Sequence, residues 1–344
     1  MPLQSEIHDQ PLVLERLLHN QRPVVEQIAA AIRQRGVQYA FLAARGTSDN
    51  AGRYANYLWG AHNRLPLALA TPSLFTYYGQ PPRLRGALVV GVSQSGQSPD
   101  IVGVVEEGRR QGCLTLAITN EPASPLAQAA ELVLDIQAGE ETAVAATKTY
   151  TAQLMAIAML SAALEGQASR WQELSAVPGW AAQALDLEDE IARMAQRYRY
   201  MSQCAVIGRG FNYATAFEWS LKLKELTYVV ADPYSSADFL HGPIAMVAQG
   251  FPVLAVAPQG KVFGSLMELL DRLQAGRAEL VVVSDAHEAL AIAQSPITLP
   301  AGIPEWLSPL VSILPAQLFA FHLTRVKGYN PESPRSLQKV TETQ

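Results

Sequence analysis

The sequence predicts an α/β protein of two parallel-sheet domains, and three observations predict it. Short apolar runs ending at Gly, Ser or Asn alternate with longer helical patterns, as βαβ units do. The arrangement occurs twice: Arg45-Gly46 pairs with Arg209-Gly210, Val92 with Val256, Gly96 with Gly260 and Gly112 with Gly276, each pair 164 residues apart, as an internal duplication would leave them. At 344 residues the chain has room for two domains of ~150 residues each.

Taken in order, residues 39–44, 87–92 and 114–118 read as strands of the first half, with helical patterns over 49–61, 99–111 and 150–164. The stretch 166–198 is mostly helical and more charged (Glu188, Asp189, Glu190, Arg193, Arg197), as expected of a connector packing over both halves. Strands follow at 204–207, 253–256 and 280–283, with a helix over 214–230. Past Gly328 the chain is polar and Pro-rich (Pro331, Ser333, Pro334, Ser336) and reads as irregular. The expected division is therefore 1–165, 166–198, 199–328 and a tail over 329–344.

Composition narrows the function. Charged residues are 17%, against a usual share of roughly 25%, which excludes disorder and suggests apolar surface hidden in an oligomer. A net charge of −5 without a basic run argues against nucleic acid or an anionic membrane surface as partner, while a small anion needs only a local site. The first residues lack the basic-then-apolar pattern of a signal peptide, and the apolar run 150–164 is shorter than the ~20 residues of a membrane span. Cys113 and Cys204 lie in strand-like apolar runs and read as reduced core packing. A soluble, cytoplasmic protein is expected. The six histidines (His8, His19, His62, His241, His287, His322) have no metal-ligand spacing, so neither metal nor cofactor is expected.

Three loops follow strands or precede helices and carry hydroxyls. Ser93-Gln94-Ser95-Gly96-Gln97-Ser98 brings three hydroxyls, an amide and the N–H groups of a helix start together, which suits a phosphate dianion, although a helix cap is the commoner use of such a loop taken alone. Gly46-Thr47-Ser48-Asp49 has the same two readings. The segment 140–148 is either a linker or a lid. Shifted by 164 residues, the Ser93 loop becomes Ala257-Pro258-Gln259-Gly260, which has lost both hydroxyls and one N–H, so one phosphate site per chain is expected, in the first half.

In the second half Glu218, Lys222 and Glu225 share a helix face, where a solvated charge stripe is the commoner outcome. His241-Gly242-Pro243 reads by itself as a packed or capping histidine before a helix start. Gly208-Arg209-Gly210-Phe211-Asn212-Tyr213 lacks the third glycine of a dinucleotide fingerprint and is explained by a tight turn.

In this order along the chain, Glu6-Ile7 near Gln10-Pro11, Gly46-Thr47-Ser48, Ser93-Gln94-Ser95-Gly96, Val144-Ala145-Ala146-Thr147-Lys148, Leu221-Lys222-Leu223-Lys224-Glu225, His241-Gly242-Pro243 and Pro334-Arg335-Ser336-Leu337 with Lys339 resemble the SIS (sugar isomerase) double-domain family, in particular the isomerase half of glucosamine-6-phosphate synthases. The resemblance implies two flavodoxin-like domains, each a five-stranded parallel sheet between helices, binding a hexose 6-phosphate. It matches Ser93, Gln94, Ser95 and Ser98 to the phosphate loop and Thr47, Ser48 and Val144 to the sugar lining. Glu225 matches the carboxylate that moves a proton between C1 and C2, and Lys222 a lysine beside the reacting carbons. His241 matches a ring-opening residue supplied by the neighbouring subunit, which implies a homodimer. Lys339 matches the tail lysine that contacts the open sugar or forms a Schiff base with it. Two positions depart from the pattern: Ala146 replaces a serine, and Gln338 stands where the family has a small residue.

The implied activity is a metal-independent phosphosugar isomerase or deaminase. Because the sequence begins where an isomerase half would begin, the expected direction is breakdown of glucosamine 6-phosphate to fructose 6-phosphate and ammonia. A fructosamine 6-phosphate deglycase and a non-catalytic phosphosugar sensor are the alternatives, and joint presence of Glu225, His241 and Lys339 argues against the sensor.

Overall fold

Ala87–Ser93 is apolar at nearly every position and buried at all seven, the pattern of a central strand covered on both faces. The same logic applies to Leu114–Thr119 and Pro252–Val256, which are also buried throughout. The computed structural model describes residues 1–339. In chain order its elements are α1 (Pro2–His8), α2 (Gln10–Gln34), β1 (Tyr39–Ala43), α3 (Thr47–Asn63), β2 (Leu67–Leu69), α4 (Ser73–Thr76), β3 (Ala87–Ser93), α5 (Pro99–Arg110), β4 (Leu114–Thr119), α6 (Pro125–Ala129), β5 (Leu132–Asp135) and α7 (Lys148–Glu165). They continue with α8 (Ala168–Leu185), α9 (Glu188–Arg197), β6 (Gln203–Gly208), α10 (Tyr213–Thr227), β7 (Val230–Ser235), α11 (Ser236–Leu240), β8 (Pro252–Val256), α12 (Phe263–Ala275), β9 (Glu279–Ser284), α13 (His287–Ala291), β10 (Ser295–Thr298) and α14 (Ser308–Val326).

The chain forms two compact units. One holds Asp9–Thr142, Ala146–Ala176 and, at the end of the described chain, Gln338 and Lys339; the other holds Met1–His8, Ala143–Ala145 and Val177–Leu337. Each contains one five-stranded, wholly parallel sheet, in the orders β2-β1-β3-β4-β5 and β10-β9-β8-β6-β7. Counted along each half, both orders are 2-1-3-4-5, the doubly wound arrangement in which the strand order reverses beside the first strand.

In the first-half unit α7 is buried along almost its whole length and packs against α2 and α3. Its second-half counterpart α14 is likewise buried along almost its whole length and packs on α1, α9 and α10. Helices apolar all round belong inside a core. The segment Glu305–Val326 is 22 residues long with a mean hydropathy of 1.4, apolar and long enough to cross a membrane, but 94% of its window is buried inside the protein. It also corrects the sequence reading, in which 150–164 was the longest apolar run: Pro309 and Pro315 interrupt the look of a helix without ending it.

One boundary moved. The helix expected over 214–230 stops at Thr227, because Tyr228 takes a left-handed conformation (φ 58°), and Val230–Ser235 becomes the edge strand β7, which tolerates Pro233. Both cysteines are buried, as expected. The tail through Leu337 is irregular but held: Arg335 N–H donates to the Tyr228 hydroxyl (2.9 Å), and the Arg335 guanidinium lies 4.3 Å from the Tyr228 ring centre. Residues 340–344 of the expected tail lie outside the described residues.

Candidate functional site

In the first-half unit the strand order reverses at β1 and β3, so the crevice for a ligand lies past their C-terminal ends. Both hydroxyl loops are there. After β1, Gly46 (φ 52°) turns the chain into α3, which begins at Thr47; the Ser48 hydroxyl, buried, accepts from Gln153 Nε2 at 3.0 Å. After β3 comes Ser93 to Ser98, leading into α5. Ser93 Oγ accepts from Gly96 N–H (3.1 Å), Ser95 Oγ from Gln97 N–H (3.3 Å), and Gln94 C=O from Asn120 N–H (3.2 Å). Ser98 stands at the N-cap of α5 without its side chain capping the helix, so a capping role does not account for that hydroxyl. Gly96 takes φ 62°, and a Cβ on it would collide with the Ser124 side chain, so only glycine lets this loop close. The buried Asp100 in the first turn of α5 is balanced by Arg45 Nε at 2.7 Å.

The equivalent crevice of the second-half unit is already filled by its own carboxylates. Gln259 N–H donates to Asp285 Oδ1 (2.7 Å) and Lys261 N–H to Glu305 Oε2 (2.9 Å). The Gln97 amide of the first half turns to a neutral hydroxyl of its own loop, whereas its counterpart at Lys261 is held by a carboxylate.

Sequence reading missed Glu141. It treated 140–148 as a linker or lid, yet the Glu141 side chain is fully buried. Its Oε1 accepts from Thr147 N–H (2.9 Å) and Thr149 N–H (3.1 Å), at the start of α7, and its Oε2 accepts from Thr149 Oγ1 (2.9 Å) and from Lys339 Nζ (2.6 Å). A carboxylate at a helix N-terminus is well placed electrostatically. The signal in the sequence was slight: one acid among two, with its partner lysine at the far end of the chain. A cavity of about 700 Å³ lies alongside, lined among others by Gln94, Asn120, Asp135 and Glu141. Gln338, next to Lys339, is exposed. Val144 groups instead with the second-half unit, half-buried, in the stretch Ala143–Ala145, where the buried Glu6 of α1 accepts from Ala143 N–H at 3.2 Å.

In the second-half unit α10 does not carry a solvated stripe. Glu218 and Lys222 are buried, and Glu225 is 23% exposed; Lys222 Nζ lies 3.3 Å from Glu218 Oε1 and 2.7 Å from Glu225 Oε2. The expectation of a surface stripe fails because α10 packs between its sheet and the apolar α14, and of the three side chains only Glu225 keeps part of its surface exposed. Burial alone would lower the Lys222 ammonium, but the Glu218 and Glu225 carboxylates outweigh it and hold it well above the ordinary lysine range. The duplication sharpens the point: 164 residues earlier, in α3, the same three positions hold Tyr54, Leu58 and Ala61. His241 sits at the C-terminal end of α11 as an exposed residue, its backbone N–H donating to Asp238 C=O at 3.1 Å.

The SIS domain family model matches the chain twice, over residues 36–163 and 201–327. The chain belongs to the SIS domain family. Among curated proteins, glutamine–fructose-6-phosphate aminotransferases (isomerizing) from Thermococcus kodakarensis and Zymomonas mobilis are 32% and 31% identical, over 97% and 98% of this chain. The chain spans 57% and 58% of the length of those relatives. Among solved structures, a candidate phosphosugar isomerase from Silicibacter pomeroyi is 32% identical with a TM-score of 0.87, covering 96% of this chain and 99% of that one. The C-terminal domain of glucosamine-fructose-6-phosphate aminotransferase from Francisella tularensis gives 25% identity and a TM-score of 0.87, covering 97% and 98%. The SIS fold expected from the motifs, two domains each built on a five-stranded parallel sheet, is thus the fold found.

Proposed function

We propose that this SIS protein is a phosphosugar isomerase that works as a deaminase, converting glucosamine 6-phosphate and water to fructose 6-phosphate and ammonia. The observation that carries the reading is the buried Glu218–Lys222–Glu225 triplet, which sets a partly exposed carboxylate against a lysine held charged. Glu225 would take the proton from C2 of the open-chain amino-aldose and return it to C1, while the Lys222 cation offsets the negative charge that develops between the two transfers. The resulting ketimine hydrolyses to the ketose and ammonia. This proton transfer needs no metal.

Ser93, Gln94, Ser95 and Ser98 would hold the 6-phosphate at the start of α5, and Thr47, Ser48, Val144 and Gln338 would line the sugar. Lys339 would meet the open sugar. His241 would open the ring from a second copy of the chain, a role its exposed position allows. Support for the substrate class comes from the names of the relatives and from the hydroxyl-rich loop at the strand reversal. A bulkier leaving amine, as in a fructosamine 6-phosphate, is favoured by one observation, the cavity of about 700 Å³ beside Gln94 and Glu141.

A panel of hexosamine and fructosamine 6-phosphates, assayed for fructose 6-phosphate or its aldose isomer together with the released amine, tests the proposal. Turnover of glucosamine 6-phosphate with equal ammonia and fructose 6-phosphate is expected. Turnover of a fructosamine 6-phosphate alone would select the second reading, and none with any member would reject both.

A further inference from the structure

We infer that Glu141 is a positioning residue for Lys339, a buried carboxylate that fixes the tail's ammonium in place before a sugar arrives. The inference rests on the proposed role of Lys339, but its geometry stands alone. Four donors converge on this carboxylate, and they divide between its oxygens: Oε1 takes the amides of Thr147 and Thr149, whereas Oε2 takes the Thr149 hydroxyl and Lys339 Nζ. Glu141 thus ties the beginning of α7 to a residue 198 positions later. The Glu141 side chain is fully buried and that of Lys339 is 24% exposed, so the pair is shielded from the water that makes surface ion pairs weak.

Fixing the lysine has a chemical purpose. A lysine side chain has about 2 kcal/mol of rotamer entropy to lose, and a tail without secondary structure adds its own. Having Glu141 hold the side chain moves that ordering ahead of substrate binding, so Lys339 meets the sugar already aimed. When the sugar arrives, its oxygens and Oε2 compete for the three ammonium protons, and Lys339 can serve both at once.

The division of labour between the two oxygens supplies a clean variant. In Glu141→Gln the remaining Oε1 still accepts from both amides, and the new Nε2 can donate to the Thr149 hydroxyl, but it presents a donor to the Lys339 ammonium. The loop should survive while the lysine loses this carboxylate. Acetylation rates of individual lysines in the full chain, followed by mass spectrometry, read this directly without any need for turnover. In the wild type Lys339 should react about tenfold or more slowly than the exposed Lys224. In Glu141→Gln that protection should vanish, with amide exchange at Thr147 and Thr149 unchanged. With sugar phosphate present, kcat should fall about tenfold or more, binding of the sugar phosphate should stay within a factor of a few, and Glu141→Asp should recover part of the loss.

Wild-type Lys339 reacting as fast as Lys224 would overturn the inference whether or not the Gln variant folds. So would Lys339 remaining protected in Glu141→Gln. If protection is lost as expected but the wild type turns over no phosphosugar, the pairing stands and the proposed reaction is what fails.

Discussion

Gly96 concentrates the demands of the proposed phosphate loop in one residue. Its left-handed φ of 62° would strain any L side chain, and a Cβ would meet Ser124, whose own hydroxyl caps α6 through Ala127 N–H at 3.3 Å. Gly96→Ala should therefore cost roughly 1–3 kcal/mol of stability and open the loop, weakening hexose 6-phosphate binding far more than a neutral surface change would. Thermal unfolding and titration calorimetry check the two effects separately; a variant that binds sugar phosphate as tightly as the wild type would remove this loop from the site. Single residues were also where the sequence misled. Glu218, Lys222 and Glu225 have the spacing of a surface ladder, and nothing local says that α10 will be packed between its sheet and α14, a helix some eighty residues further on. Glu141 was illegible for the same reason, since its meaning comes from Lys339.

Elements were more legible where they are central. The strands β1, β3, β4, β6, β8 and β9 are continuous apolar runs that end at small or polar residues, and the sequence shows them within a residue or so. The edge strands are not readable this way: β2 has only three residues, β7 contains Asp232 and Pro233, and β10 contains Pro296. Family resemblance, not periodicity, supplied the count of five per sheet.

A second feature at this scale is how α1 is held. Gln4 Nε2 donates to Glu188 Oε1 (2.8 Å), His8 Nε2 lies 2.6 Å from Oε2, and His322 on α14 lies 2.9 Å from Oε1. Burial would raise the Glu188 carboxyl, but the hydrogen bonds from Gln4, His8 and His322 outweigh it, so its pKa falls below the ordinary 4.5. A depressed carboxyl stabilises the fold above its unfolded value and loses that contribution as the pH drops through the folded one. Amide exchange in α1, corrected for its intrinsic pH dependence, should thus stay slow from neutrality down to about 4.5 and rise below it. Glu188→Gln should abolish that acid step; an identical step in both proteins would show that other groups hold α1.

At the scale of the whole molecule, the duplication explains both the symmetry and its loss. Both halves keep the 2-1-3-4-5 sheet and corresponding helices, α3 with α10 and α5 with α12. The first half retains the hydroxyl loop, whose counterpart is closed by Asp285 and Glu305; the second carries Glu218, Lys222 and Glu225 where the first has Tyr54, Leu58 and Ala61. Each half thus carries polar groups that the other lacks, and under the proposed reaction one phosphate site and one proton-transfer base suffice. That the base is Glu225 is the central claim, and solvent-deuterium incorporation tests it most directly. With glucosamine 6-phosphate in heavy water, the wild type should place deuterium on the sugar carbon as ammonia is released. Glu225→Gln should bind the same sugar with similar affinity and incorporate none. Label entering at the wild-type rate in Glu225→Gln would contradict the account and return the triplet on α10 to a structural role.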